Sequence, residues 1–419
     1  MKDFNKKKFI LFFLGLIILS ILIWGGVFWW QNLRGAGPAI KPPPDNIAEI
    51  IKEKNKEPQG GQNETEFPLS VADNFNIDIF AQDLPDARVI VQDSLGNFWV
   101  SQPDEGSVSL LTVENGEVVR HDKVFRNLNR PHGLAIDPEN GLDMYIAETD
   151  KISKIRLYSE GPLEKVVDLP AGGRHWSRTI AFGPDGRLYV SIGSSCDTCI
   201  EEDRRRAAIY VMDKDGSNFE SYAQGLRNAV FFTWSYVDGR MWATEMGRDH
   251  LGDNLPPDEI NIIEEGGFYG WPYYYGDNVA DTEFRDSEFF QTFDPPGPLS
   301  GSKINLQAHV APLGLAFVPE EGWPEDMWYD LLVAYHGSWN RSVPVGYKIA
   351  RIRLDAQGNL LSSVSDSTGF VEEEDFISGW LQGSSSLGRP VDIMLQPGGV
   401  GYITDDKAGV VYKISYINN

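Results

Sequence analysis

Three stretches decide the fold: ARVIVQDSLGNFWVSQ from Ala87 to Gln102, GLAIDPENGLDMYIAE from Gly133 to Glu148, and TIAFGPDGRLYVSIG from Thr179 to Gly193. Each reads the same way. A short apolar run comes first, then a turn rich in Asp, Gly and Pro, then a second run rich in Tyr, Trp and Val. A polar gap and a third apolar run follow. The apolar runs are too short for helices, and β-branched and aromatic residues suit strands. The three copies begin 46 residues apart.

The unit continues down the chain. AVFFTWSYVDGRMWATE from Ala229, GLAFVPEEGWPEDMWYDLLVAY from Gly314 and VDIMLQPGGVGYITDD from Val391 complete a set of six, with later gaps of 50, 85 and 77 residues that imply insertions. Six strand–turn–strand units at this spacing predict an all-β, six-bladed β-propeller with four strands per blade. The extra alternating strand NFNIDIFAQ (74–82) precedes the first unit, and VVYKISYI ends the last. Pairing of these N- and C-terminal strands is expected to close the ring and protect its edges. An open sandwich array would leave long edges exposed.

The N-terminus reads differently. Phe9 to Trp30 carries no charge and follows Lys6, Lys7 and Lys8. Its length and the flanking lysines predict one transmembrane helix, with the N-terminus cytoplasmic and the body extracytoplasmic. A cleaved signal peptide, with GAGPA (35–39) as its small-residue site, is the alternative. Either way the body is exported. Residues 35–70 are polar and rich in Pro and Gly, predicting a flexible linker, with a short helix near Ile47–Lys54 as the other reading. The expected organisation is 1–34 stub and anchor, 35–70 linker, 71–419 propeller.

Charge narrows the function. The chain of 419 residues carries a net charge of −24. Five of its cations and one acid fall within residues 1–34, so the body bears −28. Such a body repels a phosphate backbone, which argues against nucleic acid as a partner. The two cysteines, Cys196 and Cys199, lie in one CDTC loop and suit a small-loop disulfide in an exported protein.

A propeller fixes no chemistry by itself, so function is read from its loops. GGRHWSR (172–178) places His175 before an innermost strand, where an imidazole can take a proton from a hydroxyl. GLRN (225–228) places Arg227 and Asn228 in the same register of the next unit. The insert 243–278 mixes carboxylates with Gly/Pro turns that expose carbonyls, a supply of oxygen ligands suited to Ca²⁺. HGSWNR (336–341) and GRP (388–390) add Arg341 and Arg389. Cations converging in so acidic a protein suggest a small polyanionic ligand, with structural pairing to the acids as the plain alternative.

GRHWSRTIAFGPDGRLYVSIGSSCDTC, GLRNAVFFTW, DEINIIEEGGFYGWP and HGSWNRSVPVG together resemble the glucose/sorbosone dehydrogenases, most of all the sorbosone dehydrogenase-like branch, over nearly all of 71–417. These are six-bladed propellers that use pyrroloquinoline quinone (PQQ) and Ca²⁺. The resemblance implies His175 as general base. It implies Arg227 and Asn228 on the quinone side of the cofactor, with Arg227 stabilising negative charge during catalysis. It implies Ca²⁺ on the carbonyls of Gly247 and Arg248, and Arg389 on a cofactor carboxylate. Arg341 stands for a cofactor-contacting lysine. Three positions depart from the family pattern: a second C-terminal arginine falls on Val391, the Asp before the catalytic His is Arg174, and a sugar-contacting Gln is Leu128.

The activity so implied is a membrane-anchored quinoprotein dehydrogenase that oxidises an aldose or related sugar and passes electrons to an external acceptor. A non-catalytic propeller that binds glycan or protein, and a calcium-dependent lactonase-type hydrolase, are the alternatives. The hydrolase needs acidic or Asn side chains around a central metal, where these loops offer arginines.

Overall fold

The structure, a computed structural model, describes residues 2–43, 61–286, 290 and 292–417. The alternative helix near Ile47–Lys54 lies outside them. Six sheets form the six blades. Blade 1 is built from Ile90–Gln92, Phe98–Gln102, Ser107–Glu114 and Glu117–Phe125. Blade 2 spans Gly133–Ile136 to Glu164–Asp168, blade 3 Ile180–Phe182 to Glu220–Gln224, and blade 4 Phe232–Trp234 to Ile304–Leu306. Blade 5 runs from Pro312–Phe317 to Glu374–Ser378. Blade 6 takes Pro390–Gln396, Val400–Asp405 and Val410–Tyr416 from the C-terminus and Phe75–Ala81 as its fourth strand.

The repeat's turns explain why each hairpin forms. In blade 1 the Asp93 carboxylate accepts the amides of Leu95 and Asn97, and Gly96 takes the positive φ that closes the turn. The other Asp93 oxygen accepts the Trp99 indole N–H at 2.8 Å, which ties the turn to the second strand. Second strands are buried along their whole length, as in Phe98–Gln102, Leu188–Ile192, Met241–Glu245 and Leu331–Tyr335. A strand sandwiched between two neighbouring blades has no solvent face, so it loses the alternation expected of a half-exposed strand. The fourth strand of blade 1, Glu117–Phe125, lies at the rim, and none of its residues is fully buried. Val89, Leu134, Val230, Leu313 and Val391, at the inner strands of five blades, meet in one apolar cluster.

The expected mode of closure needs correction. The terminal strands do pair, Phe75 with Tyr416 through Ala81 with Val411, but this pairing only completes blade 6. The blades remain separate sheets, and among the described residues no sheet is closed by hydrogen bonds into a barrel or ring. The ring is held by side chains instead. Besides apolar packing, buried hydroxyls on second strands reach carbonyls at the start of the next blade. Ser101 donates to His132 O at 2.7 Å, Thr244 to Leu313 O at 2.8 Å, and Thr404 to Arg88 O at 2.6 Å. Ser191 makes the same bond to Ala229 O.

A transmembrane helix is likewise not a demonstrated part of the fold. One N-terminal helix, Lys2–Asn32, contains a segment, Lys8–Asn32, long and apolar enough to cross a bilayer, a test that a signal sequence also passes. Beyond it, both described ends of the 35–70 stretch lie on the propeller. Gly35 donates its amide to Arg341 O at 2.9 Å. Gln62–Asn63 runs parallel beside Phe75–Ala81, and Ser70–Val71 adds to the fourth strand of blade 5.

Candidate functional site

Strands within a blade alternate in direction, so alternate connections emerge on opposite faces. The second-to-third-strand connections and the blade-to-blade connections share one face, here the loop face. All seven residues singled out in the sequence lie on it. His175 is on the connection from blade 2 to blade 3, and Arg227 and Asn228 on that from blade 3 to blade 4. Gly247 and Arg248 follow the second strand of blade 4, Arg341 follows that of blade 5, and Arg389 leads into blade 6.

The loops of blades 3, 4 and 5 enclose a cavity of about 200 Å³. His175, Arg227, Asn228 and Gly247 line it, together with Arg174, Asp249, Asp258, His309, Trp339 and Asn340. The His175 ring is oriented by Ser194. Its Nδ1 lies 2.8 Å from Ser194 Oγ, and the same hydroxyl donates to Cys196 O at 2.7 Å. A hydroxyl has one proton to give. With that proton committed to Cys196, Ser194 accepts from His175 Nδ1–H, which leaves Nε2 with its lone pair. Burial holds the imidazole well below its ordinary pKa, and the Arg227 and Arg174 guanidinium groups push it further down. His175 is therefore a neutral base at neutral pH.

Arg227 is almost fully buried, and each of its three nitrogens has one partner, which leaves two of its five N–H groups uncommitted. Its Nε donates to Asp197 O at 2.9 Å, its Nη2 meets the Asp197 carboxylate at 2.6 Å, and its Nη1 donates to Met246 O at 3.1 Å. Burial raises the Asp197 carboxyl, but Arg227 and the Asp249 amide outweigh it and hold it low. The Cys196–Cys199 disulfide is formed and closes the loop that presents Asp197. Asp249 connects the remaining groups. It pairs with Arg174, accepts Asn340 Nδ2 at 2.8 Å and lies 3.6 Å from Arg227. Arg174, the departure next to the histidine, thus brings a carboxylate to the site from another blade.

The loop after Glu245 is fixed from below. The Asp258 carboxylate accepts Gly247 N at 2.9 Å and Ala311 N at 2.8 Å. A Cβ on Gly247 would stand 2.7 Å from Pro256 Cγ and from Pro257 O. The Arg248 side chain points away from this cavity to Asp281 at 3.0 Å and Glu283 at 2.8 Å. Among the described residues no hydrogen bond is made to the carbonyl oxygens of Gly247 or Arg248. One grouping of side-chain metal ligands occurs among the described residues, Cys196, Cys199 and Glu201, and its two sulfurs are joined to each other. The two carbonyls are oxygen donors of the kind Ca²⁺ takes.

Arg341 and Arg389 are not brought to the cavity. Arg341 donates to the carbonyls of Asp253, Val343 and Ala308. Arg389 donates to His336 O and Gly337 O, both at 2.9 Å. Around Arg389 lies a second buried cluster, with Asp406 at 2.8 Å from both Arg88 and His336. Val391 is fully buried in the central apolar cluster, and Leu128 packs against that cluster.

Known proteins share this architecture. The family model described as "Glucose / Sorbosone dehydrogenase" matches residues 158–335, and one described as "TrAA12-like" matches 297–416. The PQQ domain of the pyranose dehydrogenase of Coprinopsis cinerea superposes with a TM-score of 0.69 at 21% identity, covering 85% of this chain and 99% of that one. The PQQ-bound aldose sugar dehydrogenase of Streptomyces coelicolor gives 0.58 at 19% identity, covering 83% and 99%. The chain is a six-bladed β-propeller related to the PQQ-dependent glucose/sorbosone dehydrogenase superfamily. Among curated proteins, an uncharacterized protein of Borreliella burgdorferi is 29% identical to this propeller over 83% of the chain and 91% of its own length. The PQQ-dependent pyranose dehydrogenase of Coprinopsis cinerea is 23% identical over 84% of the chain, which spans 55% of that longer protein.

Several site residues of this dehydrogenase-related propeller were not singled out in the sequence. Asp197 was hidden between two cysteines whose pairing accounted for the motif. Trp339 and Asn340 sit inside the HGSWNR run beside the arginine that drew attention. His309 had no signal, because it acts at long range: its ring Nε2 lies 2.9 Å from Gly252 O and 3.0 Å from Leu255 O.

Proposed function

We propose that this chain is an extracytoplasmic quinoprotein dehydrogenase of the sorbosone dehydrogenase-like branch, anchored by its N-terminal helix and oxidising an aldose or related sugar. The observation that carries the reading is His175, held by Ser194 with Nε2 free, in one cavity with Arg227–Asn228 and the Gly247 loop. The donor set fits the group. Arg227, Asn228 and Arg174 suit quinone and carboxylate oxygens, and the two carbonyls without hydrogen bonds suit Ca²⁺. Bound there, PQQ would supply a two-electron acceptor and Ca²⁺ a Lewis acid.

The chain's own residues would do the rest. His175 Nε2 takes the sugar hydroxyl proton, and Nδ1–H stays on Ser194. Arg227, fixed by Asp197, holds positive charge where negative charge develops. Asp249 keeps Arg174 and Asn340 in place, and Trp339 closes one wall. The names of the pyranose and aldose dehydrogenase relatives support a sugar as substrate. The test is a titration of the full chain in detergent with PQQ and Ca²⁺, followed by dye reduction with a panel of aldoses. A calcium-dependent absorbance change with sugar-driven bleaching is expected. The absence of any change at micromolar PQQ would sink the reading.

One observation favours a second reading. Arg341 and Arg389 are engaged on backbone carbonyls, and the family's second arginine is a core valine, Val391. A propeller without these three cations for a cofactor would bind a glycan or protein without catalysis, and the same titration separates the two readings.

A further inference from the structure

The chain that leaves the N-terminal helix is bound to the face that carries the cavity. Residues Phe9–Val27 are exposed throughout, and packing on the propeller begins with Phe28, whose ring lies 5.3 Å from that of His250. The helix therefore projects away from the loop face. Asn32 at its end, and Ala36 and Pro38 beyond it, are buried. Gly35 N donates to Arg341 O at 2.9 Å, Ser386 Oγ to Pro38 O at 2.8 Å, and Lys407 Nζ to Pro38 O and Lys41 O, both at 2.7 Å. Contact is close enough to demand glycine: a Cβ on Gly35 would lie 2.5 Å from Arg341 O, and one on Gly37 2.6 Å from Ser384 O. Residues 32–41 thus form a clamp across the loops of blades 5 and 6, with no slack between helix and propeller.

We propose that the loop face, and the cavity mouth with it, rests on the surface of the lipid bilayer that holds the helix. This rests on reading Lys8–Asn32 as a membrane anchor. Those 25 residues span about 37 Å as a helix, against about 30 Å of hydrocarbon, so the last turn belongs in the headgroup layer. The residues there have the character of an interfacial belt. Trp29 and Trp30 are 54% and 60% exposed, and Arg34 lies over the Trp30 ring at 4.5 Å. On the same face Ile40, Val343 and Leu255 are bare apolar side chains, 74%, 58% and 47% exposed. The connections that carry Val343 and Leu255 also carry Trp339 and Asp249, which line the cavity. Ligands would then reach the cavity sideways, between the rim and the headgroups.

Nitroxide labels on the full chain in lipid nanodiscs test this, at Ile18→Cys in the helix, Val343→Cys on the loop face and Leu361→Cys on the opposite face. Collision with oxygen and with a water-soluble nickel chelate reports depth. The expected result is an oxygen-accessible, chelate-protected Ile18 label, a Val343 label several-fold better protected from chelate than Leu361, and an open Leu361. Gly35→Val, which breaks the clamp, is expected to open Val343 to the chelate while Ile18 stays protected. If Ile18 lies in lipid but Val343 is as open as Leu361, the proposal fails and the anchor stands. If Ile18 is itself open to the chelate, the anchor reading fails and takes the proposal with it.

Discussion

Ser194→Ala is the most informative perturbation of the site. The Ser194 hydroxyl is the acceptor that holds the proton on His175 Nδ1, because its own proton is given to Cys196 O. Alanine removes that acceptor and leaves a mostly buried N–H unpaired. An unsatisfied buried donor costs about 1–3 kcal/mol. The imidazole escapes this cost by moving its proton to Nε2, which removes the lone pair from the cavity. Each ~1.4 kcal/mol is tenfold, so the base-competent fraction should fall by roughly 5- to 150-fold. The loss should appear in kcat of the PQQ- and calcium-loaded enzyme, with little change in KM for sugar. Nitrogen-15 NMR of histidine-labelled protein reads the tautomer directly, with no cofactor present. Wild type should carry its His175 proton on Nδ1 at pH 7, and the variant should shift toward Nε2. A wild-type spectrum with the proton on Nε2 would refute the assignment of His175 as a base poised toward the cavity.

Four further outcomes are expected. Thr244→Val should lower stability more than Thr244→Ser. Valine keeps the shape but leaves Leu313 O without its 2.8 Å donor, at about 1–3 kcal/mol, whereas serine loses one methyl, about 0.8 kcal/mol; the reverse order in urea unfolding would remove hydroxyl stitching as a source of ring stability. Gly247→Ala should raise the Ca²⁺ concentration needed for PQQ binding far more than Arg248→Ala, because its Cβ strikes Pro256 while any residue at 248 offers a carbonyl; equal effects in a calcium titration would argue against this loop as the cation site. Asp197→Asn should cost activity and stability together by removing the carboxylate 2.6 Å from buried Arg227; unchanged melting and kcat would show that Arg227 needs no partner.

The fourth outcome concerns pH. Burial, aided by the Arg88 charge, holds His132 well below its ordinary value, so it stays neutral when folded but protonates near 6.5 when unfolded. Below pH 6.5 the unfolded state then binds the extra proton, and stability falls with pH at up to about 1.4 kcal/mol per unit until the folded pKa is reached. His132→Phe, placed between Trp176 and Phe231, should flatten this slope in denaturant titrations between pH 7 and 5. An unchanged slope would mean that His132 is already protonated in the folded protein.

The repeat is written in the chain. Alternating apolar strands and Asp/Gly turns are local chemistry, so six blades, their order and their turns were legible, as was the apolar length of the N-terminal helix. The placement of His175, Arg227 and Asn228 on one face was legible too, because each precedes an innermost strand at the same place in its repeat unit; Gly247 came only with the family resemblance. Tertiary structure alone decided the partners. Asp197 meets Arg227 and Asp249 meets Arg174 across 30 and 75 residues of chain, and no local pattern encodes such pairings. It also decided that Arg341 and Arg389 turn to carbonyls, since a guanidinium's direction depends on which acceptors the neighbouring blades present. How the ring is held was likewise out of reach. Strand pairing between the chain ends completes a single blade, and closure falls to hydroxyls and apolar side chains packed between sheets, contacts that exist only once all six blades stand side by side.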